Sequence, residues 1–262
     1  MLPDIVNHLA GHPWRHLIQY FDTIDSTNTY AKAAAAAGAP EGTVILSGHQ
    51  TAGRGRMGRS FSSPAHMGIY LSVILRPNCP PEALMHLTCA AGLAASDAVT
   101  KVTGQTPGIK WTNDLILNRR KLGGILTELS IHPGTGLVEW AVIGIGINCC
   151  QTAADFPADI RDMAISLGFS RDQLPLLAAA LIAELANMNR TMLTNKAALR
   201  HAFRLRCVTI GQAVSVVKGD SLRHGTAMDI DEDGGLVVKF ADGTVETVQS
   251  GEVSIRGMYG YV

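Results

Sequence analysis

The segment Thr51-Ala52-Gly53-Arg54-Gly55-Arg56-Met57-Gly58-Arg59 sets three arginines among three glycines, and it lies between two β-rich runs, Thr43–His49 and Met67–Arg76. Glycine removes the side chain that keeps a backbone amide away from an anion. Arginine adds fork-shaped donors that match carboxylate and phosphate oxygens. By itself the segment reads as a lid over a phosphorylated ligand, as an exposed basic turn, or as an RNA-binding arginine–glycine stretch. Its neighbours must separate these readings.

Upstream, Asp25-Ser26-Thr27-Asn28 leads into TYAKAAAAAG. Ser26 or Thr27 can cap the first amides, the alanines favour helix, and Gly38 suits its end. Downstream, the apolar spacing over Pro80–Thr103 predicts a buried helix. Ile109–Trp111 and Leu115–Leu117 read as extended, Asn118-Arg119-Arg120 as a turn, and Lys121–Leu129 as a strand interrupted by Gly123-Gly124. Leu137–Asn148 is a further strand, and Ser170, with Gln173 placed for a capping box, opens a helix reaching Met188. From Leu205 the texture changes. Short alternating runs (AVSVV, TAMDI, GLVVKF, TVETVQ) are separated by Lys218-Gly219-Asp220, Asp231–Gly235 and Asp242-Gly243, the pattern of a small antiparallel barrel. The expected fold is α+β: a mixed β-sheet domain flanked by helices over residues 1–204, and a small β-barrel over 205–262.

Composition excludes several classes. In 262 residues, 47% hydrophobic and 17% charged content supports a large core rather than disorder. The 22 basic and 22 acidic residues cancel, which gives no bulk attraction to nucleic acid. No apolar run is long enough for a membrane span, and the N-terminus is a poor signal peptide. Cysteines 79, 89, 149, 150 and 207 have neither metal-ligand spacing nor an even count, as expected of free thiols in the cytoplasm. No Gly-x-Ser-x-Gly is present, so serine hydrolysis lacks a basis.

Three more segments carry chemistry. Lys110-Trp111-Thr112-Asn113-Asp114 joins a cation, an amide and a carboxylate, a set that can neutralise phosphate and hold Mg²⁺, or simply form an Asn-Asp turn. Lys121-Leu122-Gly123-Gly124-Ile125-Leu126 places a lysine near glycines against which a ligand can lie, or is a solvated hairpin. Gly144-Ile145-Gly146-Ile147-Asn148 lacks the third glycine and the following helix of a dinucleotide fingerprint; a strand end whose Asn148 contacts a base or phosphate fits better.

Taken together, Ser26-Thr27-Asn28, Gln50–Arg59, Lys110–Asp114, Lys121–Leu126 and Gly144–Asn148 resemble, in order and spacing, the biotin–protein ligase family. The closing Gly251-Glu252-Val253-Ser254-Ile255-Arg256 looks like that family's last barrel strand. The resemblance covers nearly the whole chain. It implies a catalytic domain like that of class II aminoacyl-tRNA synthetases with an SH3-like C-terminal barrel. It also implies a two-step reaction: ATP and biotin form biotinyl-5′-AMP with Mg²⁺ on the phosphates, and a lysine of a biotin carboxyl carrier protein then attacks the mixed anhydride.

By motif position, the resemblance places Ser26, Thr27, Asn28, Gln50, Arg54, Gly55, Arg56, Lys121, Gly123 and Gly124 around biotin. It places Arg54, Arg56, Arg59, Lys110, Asn113, Asp114 and Asn148 on ATP, with Asp114 toward Mg²⁺. Arg56, Lys121 and Lys110 would be the catalytic cations, and Arg56 the residue that retains the adenylate. Two positions depart from the family pattern: Thr112 stands where proline is usual, and Phe61 where tryptophan is common. Only 25 residues precede Ser26, too few for the DNA-binding domain of repressor relatives, so no DNA partner is expected. Exposed strands make a homodimer plausible. The rivals are a lipoate–protein ligase, against which the arginine–glycine loop and the barrel stand, and a non-catalytic nucleic-acid-binding module, which 5% aromatic content supports poorly.

Overall fold

The computed structural model describes residues 1–218 and 220–249, together with the backbone of a strand at 253–257. A short helix α1 (Leu2–His8) and strand β1 (Ile18–Phe21) precede helix α2 (Thr27–Ala36). Strands β2 (Val44–Ser47) and β3 (Gly68–Leu75), helix α3 (Leu87–Thr103), and strands β4 (Gly108–Lys110), β5 (Asp114–Leu117), β6 (Arg120–Ile131) and β7 (Val138–Asn148) follow. Helices α4 (Leu174–Thr191) and α5 (Lys196–Arg206) lead to β8 (Ala213–Lys218), β9 (Ser221–Ile230), β10 (Leu236–Phe240), β11 (Val245–Val248) and β12 (Val253–Gly257).

The first seven strands form one mixed sheet in the order β1-β2-β3-β7-β6-β5-β4, in which β1 runs parallel to β2 and the other pairs are antiparallel. Period-2 alternation divides its faces. Ile69, Leu71, Val73 and Leu75 of β3, with Ala141, Ile143, Ile145 and Ile147 of β7, join the main core against α3 and α4. Ile74, Trp140 and Val142 point the other way and pack beneath Ala31 and Ala35 of α2. With both faces covered, β3 is buried at every position, which is why it reads as a continuous apolar run.

The last five strands form a second antiparallel sheet, β11-β10-β9-β8-β12. The α+β expectation holds. Among the described residues the anticipated barrel is a sheet with β11 and β12 at its edges; Gly219, Gly251 and Glu252 lie outside those residues.

Local signals place several elements. Ser26 caps α2, its hydroxyl accepting from the Thr29 amide at 3.4 Å, and Gly38 follows the helix in the left-handed region (φ 92°). The Ser170 amide donates to Gln173 Oε1 at 3.1 Å, as the capping box predicts. Two expectations need correction. Pro80–Thr103 is not one helix: a 3₁₀ turn at Pro81–Leu84 precedes α3, and the buried His86 between them is bonded through Nε2 to Met192 O at 2.9 Å. Strand β6 continues unbroken through Gly123-Gly124. Helix α5 is an element the sequence reading did not anticipate. Among the described residues no helix is long and apolar enough to cross a membrane.

Candidate active site

The α2 face of the sheet opens into a cavity of about 370 Å³ where its apolar side chains give way to glycine. On β7 the sequence of that face runs Trp140, Val142, Gly144, Gly146. Ser72 and Tyr70 of β3 stand opposite the two glycines on one side, and Leu126 and Gly124 of β6 on the other. The glycines are required by their neighbours. A Cβ on Gly144 would sit 1.9 Å from Asn28 Oδ1, and one on Gly146 would sit 2.4 Å from the Phe61 ring. This explains the Gly-Ile-Gly run without any dinucleotide fold.

The N-terminus of α2 forms one wall. Ser26, Thr27 and Asn28 are all buried, and each lines the cavity. Gln50 Oε1 accepts from the Thr27 amide (2.9 Å) and hydroxyl (3.1 Å), while its Nε2 donates to Ser63 Oγ at 2.8 Å. The Ser72 hydroxyl lies 2.6 Å from Asn28 Oδ1 and 2.9 Å from Thr27 Oγ1. These buried polar groups are therefore fixed by one another, as a site that reads ligand hydrogen bonds requires.

The arginine–glycine loop forms the roof. It closes on itself through Gly55 N to Arg59 O (2.7 Å) and Phe61 N to Gly53 O (2.9 Å), with Met57 and Gly58 in the left-handed region. Gly53 permits this path, since a Cβ there would meet Phe61 O at 2.4 Å. Arg54, Gly55, Arg56 and Arg59 all line the cavity, and Arg56 Nη1 donates to Asn113 Oδ1 at 3.0 Å.

Strands β4 and β5 supply the far wall. Lys110 and Asp114 are paired directly across their hairpin, whose Trp111–Thr112 peptide is cis. Lys121 Nζ lies 2.7 Å from Asp114 Oδ1. Burial lowers the Lys110 ammonium below the ordinary lysine value; Asp114 opposes that shift, and Lys121 and Arg59 add to it. Burial likewise lowers Arg56, against the opposing pull of Asp114 and with the help of Arg59. Five cations (Arg54, Arg56, Arg59, Lys110, Lys121) thus face one lining carboxylate, Asp114. That imbalance suits a polyanion.

The register explains which predicted residues reach the cavity. Leu115 pairs with Gly123 and Ile116 with Lys121, so Leu122 is an extra residue. This bulge turns Lys121 to the face that carries Gly124 and Leu126. Gly123, expected beside biotin, falls on the opposite face and does not line the cavity. Asn148 is also not brought to the cavity: its Nδ2 donates to Ile165 O at 3.1 Å and its Oδ1 accepts from Gln151 Nε2 at 3.3 Å. It pins instead the segment whose Met163 O accepts from the Lys121 amide at 2.7 Å. Met163, Leu126, Ser60 and the Gly144/Gly146 floor line the cavity without having been assigned to it from sequence. The second sheet reaches this wall through Trp111, whose indole donates to Gly234 O at 2.8 Å.

A model of the Biotin/lipoate A/B protein ligase family matches residues 20–148, and one of the Biotin protein ligase C terminal domain matches residues 209–256. Fold and cavity thus fall in the class of biotin and lipoate ligases. The biotin–[acetyl-CoA-carboxylase] ligase of Mycobacterium tuberculosis is 35% identical over 93% of this chain and 90% of its own length. The bifunctional ligase/repressor BirA of Escherichia coli is 32% identical over 89% of this chain and 72% of its own length. The biotin protein ligase of Aquifex aeolicus, solved in complex with biotin and ATP, superposes with a TM-score of 0.75 at 26% identity, covering 92% of this chain and 98% of that one. This chain belongs to the biotin protein ligase family.

Proposed function

We propose that this protein joins biotin to ATP as biotinyl-5′-AMP and transfers the biotinyl group to a lysine of a biotin carboxyl carrier protein. The observation that carries the reading is the set of five cations over an uncharged glycine floor, next to a wired polar wall. A carboxylate and a triphosphate repel one another, and fixed cations in a dehydrated cavity remove that repulsion without reorganising. Positioning then supplies much of the acceleration.

The polar wall of Ser26, Thr27, Asn28 and Gln50 is assigned to the biotin ring, and Lys121 to its carboxylate, which would displace Asp114 as the partner of that ammonium. Arg56, Arg59, Lys110 and Asn113 are assigned to the nucleotide. Among the described residues no cluster of three or more His, Cys, Asp or Glu could hold a metal. Asp114 with the Asn113 amide fits Mg²⁺ carried on the nucleotide phosphates rather than a resident metal centre.

The balanced net charge favours a protein partner over DNA, and five free cysteines accord with the cytoplasm. The expected division at 204/205 falls in the last turn of α5 (Lys196–Arg206), ahead of the second sheet, which supports a domain boundary at the end of that helix. Past Ile125, which is bonded to Asn113, β6 pairs among the described residues with β7 alone, leaving an edge that a second copy could extend, which supports a homodimer.

Pyrophosphate exchange into ATP tests the central reading. Exchange that requires biotin, and that lipoate does not replace, is the expected result. Exchange with lipoate alone would transfer the site to the lipoate ligases, and none with either would refute adenylation.

A further inference from the structure

The face of β6 that carries Gly124 and Leu126 into the cavity continues one step further, to Glu128 opposite Val142. Glu128 does not line the cavity, yet it joins three elements there. Its Oε2 accepts from Asn28 Nδ2 at 3.0 Å; its Oε1 lies 2.7 Å from Lys32 Nζ and 3.5 Å from Arg54 Nη2. One carboxylate, 22% exposed, therefore ties the floor and wall of the site to the first arginine of the roof. Burial alone raises its carboxyl, but the Lys32 and Asn28 hydrogen bonds and the Lys32 and Arg54 charges hold it below the ordinary range, so it is ionised at neutral pH.

Packing does not require a charge there. Helix α2 is already seated on the sheet by Ala31 and Ala35 over Ile45, Ile74, Trp140 and Val142. The carboxylate does settle an ambiguity. Ser72 presents a hydroxyl to Asn28, and a hydroxyl can donate or accept, so it tolerates either orientation of the amide. A carboxylate only accepts; with the Leu126 carbonyl at 3.4 Å it forces Nδ2 to its own side and Oδ1 toward Ser72. We infer that Glu128 is a positioning residue of the biotin site: it fixes the Asn28 amide in the pocket wall and anchors the arginine–glycine roof through Arg54, so retention of the adenylate depends on a group outside the cavity. This rests on the assignment of the cavity to biotinyl-5′-AMP.

The two roles separate by substitution. Glu128→Gln keeps an acceptor for Asn28 but offers a neutral amide to Lys32 and Arg54; Glu128→Ala removes both. The measurements are the biotin KM and kcat in biotin-dependent pyrophosphate exchange, the rate at which biotinyl-5′-AMP leaves the enzyme, and Tm. Loss of a charge-assisted hydrogen bond gives about tenfold. Glu128→Ala should therefore raise the biotin KM about tenfold and speed release by about the same factor. Glu128→Gln should leave KM within about twofold and release the adenylate as fast as the alanine variant. Arg54→Ala should release it at least as fast, and Glu128→Gln should add nothing to that rate in the Arg54→Ala background.

A purely structural Glu128 would lower Tm and leave KM and release unchanged in both variants, which overturns the inference. Additive effects of Arg54→Ala and Glu128→Gln overturn the link to the roof. Biotin-dependent exchange in the unsubstituted enzyme with unaltered Glu128 variants removes this inference alone; no exchange in the unsubstituted enzyme removes the assignment beneath it.

Discussion

Replacing Gly144 by alanine puts a Cβ 1.9 Å from Asn28 Oδ1 and 2.7 Å from its Cγ, a separation at which something must move. Central strand β7 is held on both sides, by β3 and by β6, and Asn28 lies in the first turn of α2, so the Asn28 side chain is what can yield. Rotating it away gives up the 2.6 Å contact with Ser72 and the 3.0 Å bond to Glu128. A neutral hydrogen bond contributes about 1 kcal/mol and one to a charged group about 1.5–3 kcal/mol, for a loss of about 2.5–4 kcal/mol. Replacing glycine within a strand returns about 0.5–1 kcal/mol. The net loss of about 1.5–3.5 kcal/mol should lower Tm by about 3–14 °C. Because Asn28 is part of the pocket wall, the biotin KM should rise at least about tenfold, the equivalent of 1.4 kcal/mol. Pyrophosphate exchange at varied biotin gives KM, and thermal melting gives Tm. Gly92→Ala in α3, where a Cβ would meet Ile109 at 3.4 Å, should leave the biotin KM unchanged. An unaltered KM in Gly144→Ala would show that Asn28 does not shape the biotin pocket and refute the reasoning.

Arg56→Gly removes the Nη1 bond to Asn113 at 3.0 Å and should speed escape of the adenylate about 10- to 100-fold, seen as biotin on bystander lysines. Labelling confined to the carrier would end the retention role of Arg56. Burial lowers the Lys110 ammonium, so it loses its proton at a lower pH than an ordinary lysine. The ATP kcat/KM should accordingly fall on an alkaline limb that begins below the ordinary lysine value of 10.5, and Lys110→Arg should remove the limb; persistence of the limb in the arginine variant would assign it elsewhere. Trp111→Phe deletes the bond to Gly234 O at 2.8 Å, worth about 1 kcal/mol, and should raise the ATP KM about fivefold with the biotin KM unmoved. Unchanged values for both substrates would mean that the turn at Asp231–Gly235 does not position the Lys110–Asp114 hairpin.

Much of the molecule follows from short-range chemistry. The cap at Ser26, the stop at Gly38, the capping box at Ser170 and the alternation of the last strands rest on residues a few positions apart, and each was readable in the chain. The arginines and glycines of 53–59 and the Lys110–Asp114 cluster carried groups suited to an anion, but each by itself also read as an ordinary turn, and only their combination pointed to a site. The tertiary structure decided how these groups face one another. Whether Lys121 or Leu122 turns into the cavity depends on a one-residue bulge between β5 and β6, which no local propensity reveals. Gly123 and Asn148 lie off the cavity for the same reason: face and coverage depend on pairing with a distant strand and on the segment at 163–165. Glu128 meets Asn28 across 100 positions of sequence, and Trp111 meets Gly234 across 123. Contacts of that span form only when the sheet register is complete, so the sequence carried the kinds of group in the site while the register chose which of them meet.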